Sequence, residues 1–456
     1  MEILKAQNEQ VSIIGGGLAG CEAAWQAAQQ GAFVTLYEMR PVKMTGAHTT
    51  GNLAELVCSN SLGTLLHDRG TGLLIEELRI CGSLLIQLAI ESRVPAGSAL
   101  AVDRDKFSAT VLAAISQHPR IKIIRQEVTQ IPDGMTIISS GPLTSDDLAV
   151  NIAQLTGKDR LFFYDAVAPI VSGETIDMEK AFSASRYGRG EEDEGDYLNC
   201  PLNKEQYSSF INELIRAEHI ELKDFEYDIQ HGVKAGGSVF FERCLPVEQL
   251  AGRGEKALAF GPMRPTGLTD PRTGRWPHAI VQLRHEDTKG DLYNLVGFQT
   301  NLTYPEQERV FHLIPGLEKA LFVRYGQMHR NTFLCAPEIL QPSLQMNTRH
   351  NLLFAGQLTG VEGYAGNIAT GLLAGINAAR ILADKPVFIP PTETMLGSLI
   401  RYITSANADH FQPMKANFGL LPEIQVANKR VPKRQKYQWK AERATKAMQE
   451  YWNAWK

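Results

Sequence analysis

Residues 11–15, VSIIG, form a short apolar run rich in β-branched side chains and closed by glycine. That pattern predicts a buried strand. The Ala-rich stretch LAGCEAAWQAAQQ follows and ends at Gly31, as a helix would. AFVTLYE then predicts a second strand, ending on Glu38. Strand, glycine turn, helix and strand make the opening unit of a doubly wound sheet. Helical patterning recurs over residues 72–90, in DRDKFSATVLAAISQH with Asp103 placed as the N-cap, and in TSDDLAVNIAQL. IKIIR and MTIISSG read as short strands between them.

The pattern changes after about residue 170. SRYGRGEEDEGDYLNC reads as an exposed loop, and its acidic run at 191–196 as a solvated segment rather than a site. Residues 200–330 mix helix and strand signals with Pro/Gly punctuation, as an inserted domain would. Near residue 351 the first style returns, with the strand NLLFAGQ and the small-residue helix GNIATGLLAGINAARILA. The expected fold is α/β: a Rossmann domain begun by residues 1–175 and completed by 331–390. A smaller α+β domain (176–330) interrupts it and a basic, aromatic helical tail (391–456) follows.

Composition adds bounds rather than a function. A chain of 456 residues, 44% hydrophobic and 21% charged, has ample material for a large core. Its six cysteines show no CxxC and no zinc-like spacing, so reduced thiols and a cytoplasmic protein are expected. MEILKAQNEQ lacks the apolar core of a secretory signal, and no apolar run approaches the length of a membrane span. The net charge of −4 hides an uneven distribution, because residues 428–456 carry nine Lys/Arg against two Glu. Tyr437, Trp439, Tyr451, Trp452 and Trp455 are interleaved with those charges. The tail fits either RNA contact through phosphates and stacking, or an amphipathic helix packed on the body.

Gly15-Gly16-Gly17-Leu18-Ala19-Gly20 fits GxGxxG, with an acidic residue, Glu38, closing the second strand. In this context the hexamer predicts dinucleotide binding. Gly15 permits the tight turn, Gly17 lets the backbone approach a pyrophosphate at the helix N-terminus, and Gly20 lets helix and strand pack closely. Glu38 is placed for an adenosine ribose. The late element around Gly356, Gln357 and Tyr364 favours FAD over NAD, since flavoproteins of this design receive the flavin end there.

Beyond these elements the sequence closely resembles the folate- and FAD-dependent methyltransferases that make 5-methyluridine at position 54 of tRNA. The segments carrying the resemblance include GGGLAGCEAAW, YEMRPVKMTGAHTT, ELVCSNSLG, FFERCLPVEQLAGRG, FGPMRPTGLTDPRTG, VQLRHED and RYGQMHRNT. The resemblance implies a glutathione-reductase-like FAD domain with an insertion. It also implies 5,10-methylenetetrahydrofolate as carbon donor, reduced FAD as reductant, NAD(P)H to regenerate it, and the tRNA T loop as substrate. A monomer without a protein partner or a membrane is expected. The chain departs from the family after Tyr364, where Ala365, Gly366 and Asn367 stand in place of the usual acidic residue and serine. Other readings are the same chemistry on a ribosomal RNA uridine, a wobble-uridine flavoprotein, or a small-molecule FAD oxidoreductase.

Carbon 5 of uracil is a weak nucleophile until a thiolate adds at C6, so the reaction needs a cysteine. Cys244 in FERCLPVEQL matches the family's position for it, with Arg243 alongside. Cys58 in ELVCSNSLG matches the second functional cysteine, set among small polar residues as a thiol facing a reactive pocket would be. Its expected role is acceptor of the C5 proton, with shielding or positioning as the alternative. Cys21, Cys81 and Cys200 read as structural. His329 and Arg330 in QMHRN are equally placed for RNA, for folate or for a surface pair.

Overall fold

The computed structural model describes residues 10–157, 161–166, 168–188, 195–220, 245–287, 289–326, 328–408, 411–424 and 431–456. Cys244 and the side chains of His329 and Arg330 lie outside the described residues.

Strands β1 (Gln10–Ile14), β2 (Phe33–Glu38), β3 (Ile121–Arg125), β4 (Thr136–Ile138) and β5 (Leu352–Phe354) form a sheet in the order β5-β4-β1-β2-β3. Every pairing is parallel. The strands are short and mostly apolar, as they must be where helices cover the faces of a parallel sheet. Helix α1 (Leu18–Gln29) connects β1 to β2, and α2 (Tyr364–Leu382) follows β5. The two helices touch almost backbone to backbone. A Cβ on Gly371 or Gly375 would lie 2.3 Å from the carbonyl oxygen of Ala19 or Ala23. The spacing of four puts both glycines on one face of α2, so any larger residue there would force the helices apart.

A second sheet has six strands, in the order Phe182–Ser183, Tyr197–Leu202, Ala279–His285, Leu292–Leu295, Ile170–Ser172 and Phe322–Arg324. Its pairings are antiparallel. Helices Lys204–Arg216 and Tyr304–Phe311 close a separate core around Phe210, Leu283, Phe298 and Phe311. Leu161–Ala166 pairs antiparallel with Met328–Phe333 where the chain leaves for that sheet and returns from it. Among the described residues no helix is long and apolar enough to cross a membrane.

The helical signal over 72–90 proves to be two helices, Gly70–Ile80 and Leu84–Glu91. Gly82, at φ +75°, turns the chain out of the first. Ser83 starts the second by accepting the Ile86 N–H on its hydroxyl at 3.3 Å. Asp103 caps its helix as expected, accepting from the Lys106 N–H at 3.0 Å.

The final helix, α3 (Lys433–Trp455), spends four of its five aromatics on packing. Tyr437 stacks on Phe418 at 4.6 Å, and Tyr451, Trp452 and Trp455 surround the buried Phe388. Those rings are therefore not a free stacking platform.

Glu77 is fully buried beneath helix Met395–Ser405 and accepts the Met395 and Leu396 N–H groups at 2.7 and 2.8 Å. Burial outweighs those bonds and pushes its carboxyl up to about 8. Between the unfolded pKa of about 4.3 and the folded value, the native state holds the extra proton, so this group's contribution to stability falls as pH rises. Glu77→Gln keeps an acceptor and removes the titration. The melting temperature of the variant relative to the parent is expected to climb between pH 5 and pH 8; a flat difference would show that Glu77 does not titrate in this range.

Candidate active site

A cleft opens at the C-terminal ends of β1 and β5, where the N-termini of α1 and α2 converge. Gly15 sits at φ +105°, and a Cβ there would lie within 2.8 Å of the Ser139–Ser140 backbone. Gly20 packs beneath the turn, where a Cβ would meet the Gly15 carbonyl oxygen at 1.8 Å. Gly17 is different, since a Cβ there would meet nothing within 4 Å and would project into open space. Helix α1 has no side-chain cap, and Gly17, Leu18 and Ala19 line the cleft. Backbone N–H groups at a helix start in this arrangement favour an anionic group such as a pyrophosphate.

The far wall comes from the other end of the chain. Gly356, Gln357, Tyr364 and Asn367 line the same cleft. Gly356, at φ +75°, donates its N–H to the Thr370 hydroxyl at 2.8 Å, which fixes the turn before α2. The Asn367 Oδ1 is buried without a hydrogen-bond partner. A buried acceptor without a donor is costly, and a bound group supplying one would relieve it. The residues present thus fit a dinucleotide cofactor with its diphosphate at α1 and its other end at α2.

Glu38 lines the cleft at the end of β2 and is held tightly. Its Oε2 accepts the Gly16 N–H at 2.9 Å, and its Oε1 accepts from the Arg40 backbone and Nε at 3.0 and 2.9 Å. Arg40 is only 2% exposed and also donates to Glu55 Oε2 at 2.9 Å. Burial raises the Glu38 carboxyl, but the Arg40 bonds and charge outweigh it and leave the group below the ordinary carboxylate range. Glu38 therefore holds the glycine turn and Arg40 in addition to facing the cleft.

Cys58 stands at the seam between this cleft and the second sheet. Its backbone N–H donates to the Tyr364 hydroxyl at 2.9 Å, and the residue is half-buried. Three arginines surround its segment. Arg104 donates to the Leu56 and Cys58 carbonyls and, through Nε, to Glu286 at 2.5 Å. Burial opposes the Arg104 charge, and Glu286 more than restores it. Arg324 donates to the Val57 carbonyl at 3.0 Å. Arg284 is 7% exposed and its Nε is buried without a partner; burial and the neighbouring Arg104 lower its pKa. Asn60 bridges the seam, donating to the Val102 carbonyl at 3.0 Å and to His285 at 2.8 Å. Cationic side chains gathered at the seam favour an anion brought beside them.

The structure brings Gly15, Gly17, Leu18, Ala19, Glu38, Gly356, Gln357 and Tyr364 to one cleft, with Cys58 bonded to its rim. Gly16 and Gly20 support the turn from behind. Cys21 and Cys81 are buried with raised thiol pKa values, and burial pushes Cys200 up to about 12, as inert packing thiols require. Sequence reasoning missed Arg40, Arg104, Arg284, Arg324 and the role of Asn367. Arg104 and Arg324 carry no local mark because their partners lie 182 and 267 positions away, and the burial of Arg40, Arg284 and Asn367 is a tertiary property that no local pattern announces.

Over residues 10–386 the chain matches the family model described as Glucose inhibited division protein A. It is 50% identical to the methylenetetrahydrofolate–tRNA-(uracil-5-)-methyltransferase TrmFO of Exiguobacterium sp., over 97% of this chain and 99% of that protein. Identity to the protein of the same name from Natranaerobius thermophilus is 54%, over 97% and 98% of the two chains. Among solved structures, Aquifex aeolicus GidA shares the fold with a TM-score of 0.69 at 16% identity, over 97% of this chain and 74% of that one.

Proposed function

Because the chain belongs to the methylenetetrahydrofolate–tRNA-(uracil-5-)-methyltransferase family, we propose that it methylates C5 of a uridine in tRNA with 5,10-methylenetetrahydrofolate as carbon donor and FAD as bound cofactor. The target is uridine 54 in the T loop, NAD(P)H reduces the flavin, and the enzyme works in the cytoplasm as a monomer. We also divide the chain functionally at residues 175, 330 and 390, with the nucleophile on the inserted part.

The observation that carries this reading is the Cys58–Tyr364 hydrogen bond, which puts a thiol-bearing segment on the rim of the dinucleotide cleft. The N–H groups of α1 would hold the FAD diphosphate, and Gly356, Gln357 and the first turn of α2 would hold its flavin end. Bound there and reduced, FAD would supply the reducing equivalents that complete the methyl group. The chain's own residues do the rest. The enzyme extrudes the target base from the folded loop. Cys244 adds through its sulfur to C6 of the uracil, which makes C5 a nucleophile. After C5 has taken the carbon, Cys58 accepts the C5 proton, and expulsion of the Cys244 thiolate restores the ring. Arg104, Arg284 and Arg324 stabilise the negative charge that these steps place near the seam.

The test uses purified protein, NADPH and labelled methylenetetrahydrofolate with either a tRNA transcript or a ribosomal RNA fragment, followed by digestion and mass spectrometry. Labelled 5-methyluridine at tRNA position 54 is expected. Label confined to the ribosomal fragment would move the target, and NADPH consumption without any label would replace the reading with a small-molecule oxidoreductase.

A further inference from the structure

The second sheet's unit carries a surface that the site above does not use. Phe260, 78% exposed, is the most exposed large apolar side chain among the described residues, and Trp276 is 61% exposed. Phe260, Lys256, Arg264 and His278 line one shallow depression, and Trp276 and the exposed Arg275 lie just before His278 in the chain. From Arg253 to His278 there are five Lys/Arg and two acidic residues, in a chain whose net charge is −4. One of those acids, Asp270, is held by Arg272 through both oxygens at 3.0 Å.

Large aromatics kept in water beside cations mark a surface made for a partner. Cations with free aromatic faces suit a polyanion whose bases stack, and that combination distinguishes RNA from an acidic protein. Tyr437, Tyr451, Trp452 and Trp455 of α3, by contrast, are packed on Phe418 and Phe388. Position supports the same partner. His278 directly precedes strand Ala279–His285, and the far end of that strand is tied to the Cys58 segment by the Asn60–His285 bond. At about 3.3 Å per residue, the strand sets the surface roughly 20 Å from the seam.

We propose that this face is a docking surface for the tRNA outside the modified base, with unpaired bases stacking on Phe260 and Trp276 and phosphates meeting Lys256, Arg264 and Arg275. The assignment rests on the tRNA reading above. The test compares the full-length, flavin-loaded protein with two double variants, Phe260→Ala/Trp276→Ala and Lys256→Gln/Arg264→Gln. Affinity for a tRNA transcript is measured at several salt concentrations, together with methylation kinetics, flavin content and NADPH oxidation without RNA. Each double variant is expected to bind tRNA roughly tenfold or more weakly. The charge variant is expected to show a log–log salt slope shallower by about 1–2. KM for tRNA rises, while flavin content and RNA-free NADPH oxidation stay at parental values. Parental affinity and slope in both variants, with methylation intact, would overturn the surface alone and leave it to a protein partner. Absence of RNA methylation by the unaltered protein would instead overturn the functional reading.

Discussion

Cys244→Ala is expected to abolish methyl transfer, by at least roughly 10⁴-fold, the scale of loss when a covalent nucleophile is removed. Flavin content and fold should survive, because the described lining of the cleft is supplied by other segments, with the glycine turn and the start of α2 holding the cofactor. Cys58→Ala is expected to be inactive for a different reason. It retains the thiol that adds to C6 but lacks the acceptor for the C5 proton, so the reaction stalls after the RNA has become attached to the protein. Denaturing gels should show a protein–RNA band with Cys58→Ala and none with Cys244→Ala. Robust methylation by Cys244→Ala would sink the nucleophile assignment. An active Cys58→Ala would leave that thiol a positioning role at most.

The second large effect is structural. Arg40→Ala leaves Glu38 and Glu55 near one another without their shared counter-charge. Removing one partner of a buried ion network typically costs about 3–5 kcal/mol, a large share of a stability of about 5–15 kcal/mol. The Glu38–Gly16 bond that shapes the turn is then strained by repulsion, so bound flavin should fall along with the melting temperature. The pH dependence has a definite sign. Glu38 has a depressed pKa in the parent, so its contribution is present above about pH 4.3 and is lost as pH falls through the folded value. Without Arg40 the carboxyl is pushed upward instead, and protonation relieves it. The stability gap between parent and variant should narrow from pH 7 to pH 4.5. Thermal melts and flavin absorbance across that range decide the matter; an Arg40→Ala protein that melts and binds flavin like its parent would show the network to be dispensable.

The dinucleotide cleft was legible in the sequence because its information is local. VSIIG, the glycine hexamer and the helix after it declare their conformation through glycine placement and apolar period alone. GNIATGLLAGINAAR announced a close-packed helix in the same way, and Gly371 and Gly375 are indeed where it meets α1. The seam was illegible for the opposite reason. Arg104 opens a helix and looks like any solvated first-turn residue, yet its partner Glu286 is 182 positions away. Arg284 interrupts a buried strand, and nothing in VQLRHED says that its guanidinium is buried with Nε unpartnered. The tail misleads in another sense, since a basic run with interleaved aromatics is the same string whether the rings face RNA or, as here, Phe388. The stretch from Phe260 reads as a segment carrying the family resemblance and as Pro/Gly punctuation, but not as a surface, because exposure is a tertiary property.

The near-contact of α1 with α2 also sets a timetable. The first wall of the cleft leaves the ribosome early, but Leu352 reaches its place beside Thr136 only after roughly two hundred further residues. At typical synthesis rates of about 5–20 residues per second, the nascent chain waits roughly 10–40 s with one edge of β4 unpaired and the groove on α1 uncovered. Parallel pairing over so long a loop is intrinsically slow, and the exposed edge invites wrong partners. The flavin finds both of its walls only after the whole insertion has been made, so cofactor capture waits on the return of the chain to its first sheet.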